Sequence, residues 1–260
     1  MKKSAWIRMI RMANRGNEKL EKIHVNHVDI FYEMVGHGRP VVLIHGNGED
    51  HTVFDRTVHL LEDKYTCYLP DSRGHGKSQW TGEFHYRDMA EDLIQFLEKL
   101  NLRDAAVVGF SDGGIIGLMA ASGTNRITSL VACGANTRPE GLRGLCLTGM
   151  KIHHFFTRSP LMRLMIREPD IRDEELAEIH ADTLIVAGQH DLIRKSETDH
   201  IASKIPGAEK VILPGESHGS YIVHSEKLAK IILDFLGRKE KRRQSRVDIG
   251  ACLESLKNEF

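Results

Sequence analysis

Apolar residues in this chain fall into short runs separated by amphipathic stretches and glycine-rich breaks. Residues 22–35 alternate, with Ile23, Val25, Val28, Ile30 and Tyr32 between polar neighbours and a turn at Asn26-His27, which predicts a β-hairpin. Residues 41–44 form a continuous apolar run, as expected of a strand buried on both faces. Runs at 65–69, 105–108, 129–133, 183–187 and 210–213 predict further strands. Helical patterns lie between them, over 54–61, 86–100, 115–121, 197–205 and 225–236. Over 86–100, Met89, Leu93, Phe96, Leu97 and Leu100 share one face and charges occupy the other. Gly237 is expected to end the last helix. Strands alternating with helices imply a mostly parallel sheet with helices on both faces, an α/β fold.

The rhythm breaks at about 137–180. Helical stretches at 145–156 and 161–166 carry Met150, Phe155, Phe156, Met162, Leu164 and Met165. They predict a short helical cap after a sheet strand, and the Met and Phe content suits an adaptable apolar pocket wall. Simple core packing accounts for any single one of these residues equally well. The expected organisation is a basic N-terminal leader (1–20), a main domain (21–237) containing the cap, and a charged C-terminal tail (238–260). That tail reads as solvated, with Ile249, Leu253 and Leu256 able to form a short docking helix.

Composition narrows the classes. Lys plus Arg and Asp plus Glu number 36 each, so net charge gives no argument for nucleic acid or an anionic membrane. No run of ~18 apolar residues predicts a transmembrane helix. Arg8 and Arg11 interrupt any signal-peptide core. The cysteines at 67, 133, 146 and 252 show no C-x-x-C spacing, and Cys67 and Cys133 sit in apolar runs, so a reducing, cytoplasmic setting is expected.

Candidate chemistry centres on Gly109-Phe110-Ser111-Asp112-Gly113-Gly114. A strand, a tight glycine-flanked turn with serine at its apex and a following helix make a Gly-x-Ser-x-Gly nucleophile elbow. A serine hydroxyl needs a base to take its proton, and a carboxylate to fix the base's tautomer. In a parallel sheet all three groups must lie at the carboxyl ends of strands. Ser111, Asp191 and His218 each follow a predicted strand, in the order Ser…Asp…His. The other position for the acid, after the strand ending at Cys133, holds Gly134, Ala135 and Asn136 and offers no carboxylate. His224 opens a helix with no glycine-rich loop to present it, whereas His218 has one. His45 and His75 read as residues that fix loops. His153-His154 faces two directions and makes a poor metal site. Gly74-His75-Gly76-Lys77-Ser78 lacks the upstream glycine spacing of a phosphate loop.

With His45-Gly46-Asn47-Gly48 and Asp71-Ser72-Arg73-Gly74-His75-Gly76 added, the chain resembles the α/β-hydrolase superfamily from about 22 to 236. Gly-Phe-Ser-Asp-Gly-Gly, with Gly134-Ala135-Asn136, is similar to the valacyclovir hydrolase (biphenyl hydrolase-like) branch, with what looks like a shorter cap. The resemblance implies the α/β-hydrolase fold and an oxyanion hole formed by the backbone N–H groups of Asn47 and Asp112. Physically, one donor then sits at a helix N-terminus and the other in a glycine-rich loop. The Asp112 side chain either caps its helix or binds a cationic group on the substrate. The expected function is a serine hydrolase, most simply a carboxylic-ester hydrolase, cleaving a small or medium ester, amide, thioester or C–C bond without metal or organic cofactor. The only partner expected is a small-molecule substrate, with no nucleic acid and no stable membrane insertion. A ligand-binding signalling protein with slow or vestigial catalysis, or a lyase or perhydrolase using the same residues, fits the sequence too. Ser111 excludes an aspartate nucleophile.

Overall fold

The computed structural model describes the backbone of residues 20–80 and 82–257, and the side chains to 245. The leader expected over 1–20 lies, apart from Leu20, outside the described residues.

Eight strands form one sheet: β1 (Glu21–Val25), β2 (Val28–Gly36), β3 (Arg39–Ile44), β4 (Tyr65–Pro70), β5 (Ala105–Phe110), β6 (Ile127–Cys133), β7 (Asp182–His190) and β8 (Glu209–Ser217). Their order is β1-β2-β4-β3-β5-β6-β7-β8. The β1/β2 and β2/β4 pairs are antiparallel, and every pair from β4/β3 onward is parallel. The hairpin turn falls at Asn26 and His27, which both take positive φ, +40° and +67°, as a two-residue turn of that twist demands. Every residue of β5 is buried, because helices cover both of its faces.

On one face, α1 (Asp55–Leu61) and α8 (Lys227–Lys257) contribute Val58, Leu61, Ile232 and Phe235 to a core against Val41, Val108 and Val131. On the other, α2 (Tyr86–Lys99), α3 (Asp112–Gly123), α6 (Asp173–Ala177) and α7 (Lys195–Lys204) bury Phe96, Leu118, Leu176 and Ile201 against Val107 and Leu130. The insertion between β6 and β7 begins with α4 (Gly144–Thr157) and α5 (Pro160–Arg167), which pack on each other as the cap.

Gly237 does not end the last helix, contrary to the sequence expectation. α8 continues through it to Lys257. Glycine inside a helix costs only about 1 kcal/mol relative to alanine, and the residues beyond it hold the extension in place. Lys239 is buried, with its Nζ 2.8 Å from Glu209 Oε1. Arg243 bridges Asp104 (2.8 Å), Asp182 (3.0 Å) and the Thr128 carbonyl (2.7 Å) at the amino-terminal edge of the sheet. The first part of the expected solvated tail is therefore docked helix.

Candidate active site

β5 hands over to α3 at Ser111, whose backbone lies at φ +52°, ψ −113°. A non-glycine residue there stores about 1–3 kcal/mol of strain, which the packing around it must hold. The flanking glycines are needed for space rather than for φ. A Cβ on Gly109 would lie 2.0 Å from the Gly113 carbonyl oxygen, and one on Gly113 would lie 2.1 Å from that of Ile44. The Ser111 N–H donates to the Cys133 carbonyl at 2.8 Å, tying the turn to β6.

β7 and β8 are neighbours, so the residues that leave their carboxyl ends meet. His218 Nδ1 lies 2.6 Å from Asp191 Oδ1, and His218 Nε2 lies 3.0 Å from Ser111 Oγ. Asp191 is 2% exposed. Its Oδ1 also accepts from the Ile193 N–H and its Oδ2 from the Gly188 N–H, each at 3.0 Å. Burial works to raise the Asp191 carboxyl, but the hydrogen bonds from His218, Ile193 and Gly188 outweigh it and hold the group below the usual carboxylate range. Gly134 sits against this pair: a Cβ there would come within 2.7 Å of His218 Cε1. His224, the alternative base, is exposed and pairs with Asp55 at 2.9 Å, away from Ser111.

The glycine-rich loop after β3 is held by two imidazoles. His45 Nδ1 donates to the Gly46 carbonyl (2.8 Å) while its Nε2 accepts from the Ser72 N–H (3.0 Å). His75 Nδ1 donates to the Arg73 carbonyl (3.0 Å) and its Nε2 accepts from the Gly48 N–H (3.0 Å). Both are loop-fixing residues, as the sequence suggested. Asp71 anchors its own loop through the N–H groups of His51 (3.0 Å) and Lys77 (2.9 Å). The loop places Asn47 beside the start of α3, where its side chain meets that of Asp112, the residue after Ser111.

The Asp112 side chain departs from the capping expectation. Its carboxylate is buried and accepts from Asn47 Nδ2 and from the Tyr86 hydroxyl, each at 2.8 Å. Burial raises this carboxyl, and those two donors only partly offset it. The side chain thus joins the glycine-rich loop to α2 and to the start of α3.

The family model for the alpha/beta hydrolase fold matches residues 39–146, from β3 through the elbow and into the cap. The chain has the α/β-hydrolase fold. Among its relatives, the AB hydrolase superfamily protein YisY of Bacillus subtilis is 28% identical over 258 residues, covering 80% of this chain and 96% of that protein. Human serine hydrolase BPHL is 27% identical over 251 residues, covering 83% of this chain and 85% of that protein. That agrees with the branch suggested by Gly-Phe-Ser-Asp-Gly-Gly. The solved bromoperoxidase of Bacillus anthracis superposes with a TM-score of 0.75 at 24% identity, covering 84% of this chain and all of that one, and shares the fold. The family match stops short of Asp191 and His218, so those two rest on the geometry alone.

A cavity of about 200 Å³ opens over Ser111. Its apolar wall is Leu142, Met150, Met162, Met165 and Ile193, so the cap does supply methionines to it. Leu164 is instead buried in the main core, and Phe155 and Phe156 point to solvent at 63% and 77% exposure. Two lining carboxylates were not singled out from the sequence. Glu49 Oε2 accepts from the Gly46 N–H at 2.9 Å, and burial raises its carboxyl. Glu168 accepts from His85 Nδ1 (2.6 Å) and the Tyr86 N–H (3.0 Å). Among the described residues, no lysine or arginine lines the cavity. Among the described residues, no three of His, Cys, Asp and Glu converge as a metal site. No described helix is long and apolar enough to cross a membrane.

Proposed function

We propose that this α/β-hydrolase is a serine esterase acting on small or medium carboxylic esters through an acyl-enzyme. The observation that carries the reading is the chain of contacts from Ser111 Oγ to His218 Nε2 (3.0 Å) and from His218 Nδ1 to Asp191 (2.6 Å). Ser111 Oγ attacks the ester carbonyl carbon while His218 Nε2 takes its proton, and Asp191 stabilises the imidazolium. The carbonyl oxygen becomes an oxyanion facing the N–H groups of Asn47 and Asp112, and each such donor is worth about 3 kcal/mol. Collapse breaks the bond to the alcohol oxygen, which leaves with the proton from His218. Water then attacks the acyl-enzyme, giving its proton to His218, and releases the acid and free Ser111.

Among the described residues, Glu49, Asp112 and Glu168 line the cavity with no lysine or arginine, which favours neutral and cationic esters over anionic ones. The Asp112 carboxylate serves Asn47 and Tyr86 first, so an ammonium group on the substrate is shared among the three carboxylates rather than held by Asp112 alone. The thiols of Cys133 and Cys146, in no disulfide, fit a reducing, cytoplasmic compartment.

The test is labelling by a fluorophosphonate probe together with turnover of a p-nitrophenyl ester panel. Wild type should be labelled and Ser111→Ala should not. Among esters of equal size, kcat/KM should fall from ammonium-bearing through neutral to carboxylate-bearing. Equal labelling of both proteins would sink the nucleophile. Saturable binding of esters with no turnover above background would favour a ligand-binding protein on the same fold.

A further inference from the structure

The outer face of the cap helix α4 carries a second pattern. Leu145, Ile152 and Phe156 are spaced by seven and four residues, which places them on one side of a helix. They are 91%, 55% and 77% exposed. Phe155, 63% exposed, stands beside Phe156 with ring centroids 5.2 Å apart. The opposite side of the same helix faces inward, with Leu147 buried and Met150 on the cavity wall. α4 therefore carries apolar residues on two opposite sides, although only one of those sides is packed within the chain.

The charge around this face is one-sided. From Gly141 to Arg167 the sequence contains Arg143, Lys151, Arg158, Arg163 and Arg167 and no Asp or Glu, in a chain whose acidic and basic residues balance at 36 each. All five cations are exposed. Lys151 and His153 stand on either flank of the apolar stripe, and the Arg158 guanidinium lies 5.5 Å from the Phe155 ring. Apolar side chains projecting between exposed cations are the composition of a helix that lies in the headgroup region of an anionic bilayer. A second copy of the chain is disfavoured as the occupant, because a symmetric pairing of this face would bring Arg143, Lys151 and Arg158 together on a helix that itself carries no Asp or Glu.

We infer that the outer face of α4 docks this protein on an anionic lipid surface. Leu145, Ile152, Phe155 and Phe156 enter the interface, and Arg143, Lys151 and Arg158 meet the lipid phosphates and carboxylates. No helix crosses the bilayer in this arrangement. The docking is a property of the cap's outer face and holds or fails independently of the proposed esterase activity.

The experiment is co-sedimentation of the full chain with phosphatidylcholine vesicles, with or without about a third phosphatidylserine. Wild type should partition onto the anionic vesicles at least ~10-fold better than onto neutral ones, and raising salt from ~0.05 to ~0.5 M should remove most of the difference. The combined Leu145→Ser, Ile152→Ser and Phe156→Ser variant should lose ~10-fold or more in partition. Its melting temperature should stay near wild type, because these side chains are more than half exposed, and Lys151→Glu should lose the preference for anionic lipid. Equal binding to both vesicle types, no binding at low salt, or full binding by the triple variant would each overturn the inference. So would sedimentation velocity showing a dimer that the triple variant dissociates while vesicles are ignored, since that result assigns the face to a second copy.

Discussion

Replacing Asp191 by Asn exchanges one buried oxygen for an NH₂ group, and the contacts around it leave no neutral way to do so. The carboxylate receives three donors: His218 Nδ1–H (2.6 Å) and Ile193 N–H (3.0 Å) on Oδ1, and Gly188 N–H (3.0 Å) on Oδ2. If the amide oxygen keeps the Oδ1 place, the NH₂ faces the Gly188 N–H, donor against donor, in a site where Asp191 is 2% exposed. An unpaired buried donor costs about 1–3 kcal/mol. If the amide turns over, the Gly188 contact survives and the NH₂ faces His218. His218 Nδ1 must then accept, which moves the proton to Nε2, the atom 3.0 Å from Ser111 Oγ. In that tautomer the imidazole cannot take the serine proton. The corresponding change in serine proteases lowers kcat about 10⁴-fold, on the order of 5 kcal/mol of barrier. The same loss is expected here in kcat for a p-nitrophenyl ester, with KM little changed because the acid does not touch the substrate. Urea unfolding at the same pH should show a stability loss of only about 1–3 kcal/mol, leaving the variant folded. Retention of more than about a tenth of wild-type kcat by a folded Asp191→Asn protein would refute the assigned role.

Two further outcomes test the frame around the site. Burial pushes the His45 imidazole down to about 4 from an ordinary value of 6.5. Between those values the unfolded chain binds a proton that the folded chain does not, so stability is full above the ordinary value and falls as pH drops. From pH 7 to 5 the loss is about 2 kcal/mol, and in His45→Gln the difference in urea midpoint between those pH values should shrink accordingly. An unchanged pH dependence in that variant would remove His45 as the cause. Lys239→Ala should cost about 2–3 kcal/mol, because it strips a buried ammonium from Glu209 at 2.8 Å. A change below ~0.5 kcal/mol would mean that the helix beyond Gly237 contributes as little as a solvated tail.

The sheet was readable from the sequence because its central strands are buried on both faces and so appear as unbroken apolar runs, as in Val41-Val42-Leu43-Ile44. The elbow was readable because sterics leave Gly109 and Gly113 no alternative. Ser111, Asp191 and His218 could be placed together because each follows a strand in a parallel sheet, where strand ends share an edge. What was hidden has a common physical reason, which is that it depends on partners far away in sequence. Gly237 reads locally as a helix stop, and only the docking of Lys239 and Arg243 onto Glu209, Asp104 and Asp182 overrides it. In α4, Leu147 faces in and Phe156 faces out, but periodicity cannot distinguish the two sides of a helix that carries apolar residues on both.

Asp112 shows most clearly how an interaction can be invisible in sequence yet central to the site. A carboxylate next to the nucleophile looks adverse to a developing oxyanion, and read locally it must either turn away or serve the substrate. In the fold it does neither directly. It takes the side-chain N–H of Asn47 and the hydroxyl of Tyr86, so the two residues proposed to supply the oxyanion hole are tied to each other by their own side chains. Under the proposed mechanism the tie would hold the spacing of the two backbone donors, and fixed spacing is what electrostatic stabilisation of an oxyanion requires, because donors that must reorganise during the reaction lose much of their value. Burial raises this carboxyl, so the charge is held at a cost that two hydrogen bonds only partly offset. An apolar residue would avoid that cost but leave the buried Tyr86 hydroxyl and the half-buried Asn47 amide without this acceptor. The unfavourable charge is thus explained by the rigidity it gives to the neighbouring backbone, even if Asp112 never contacts the substrate.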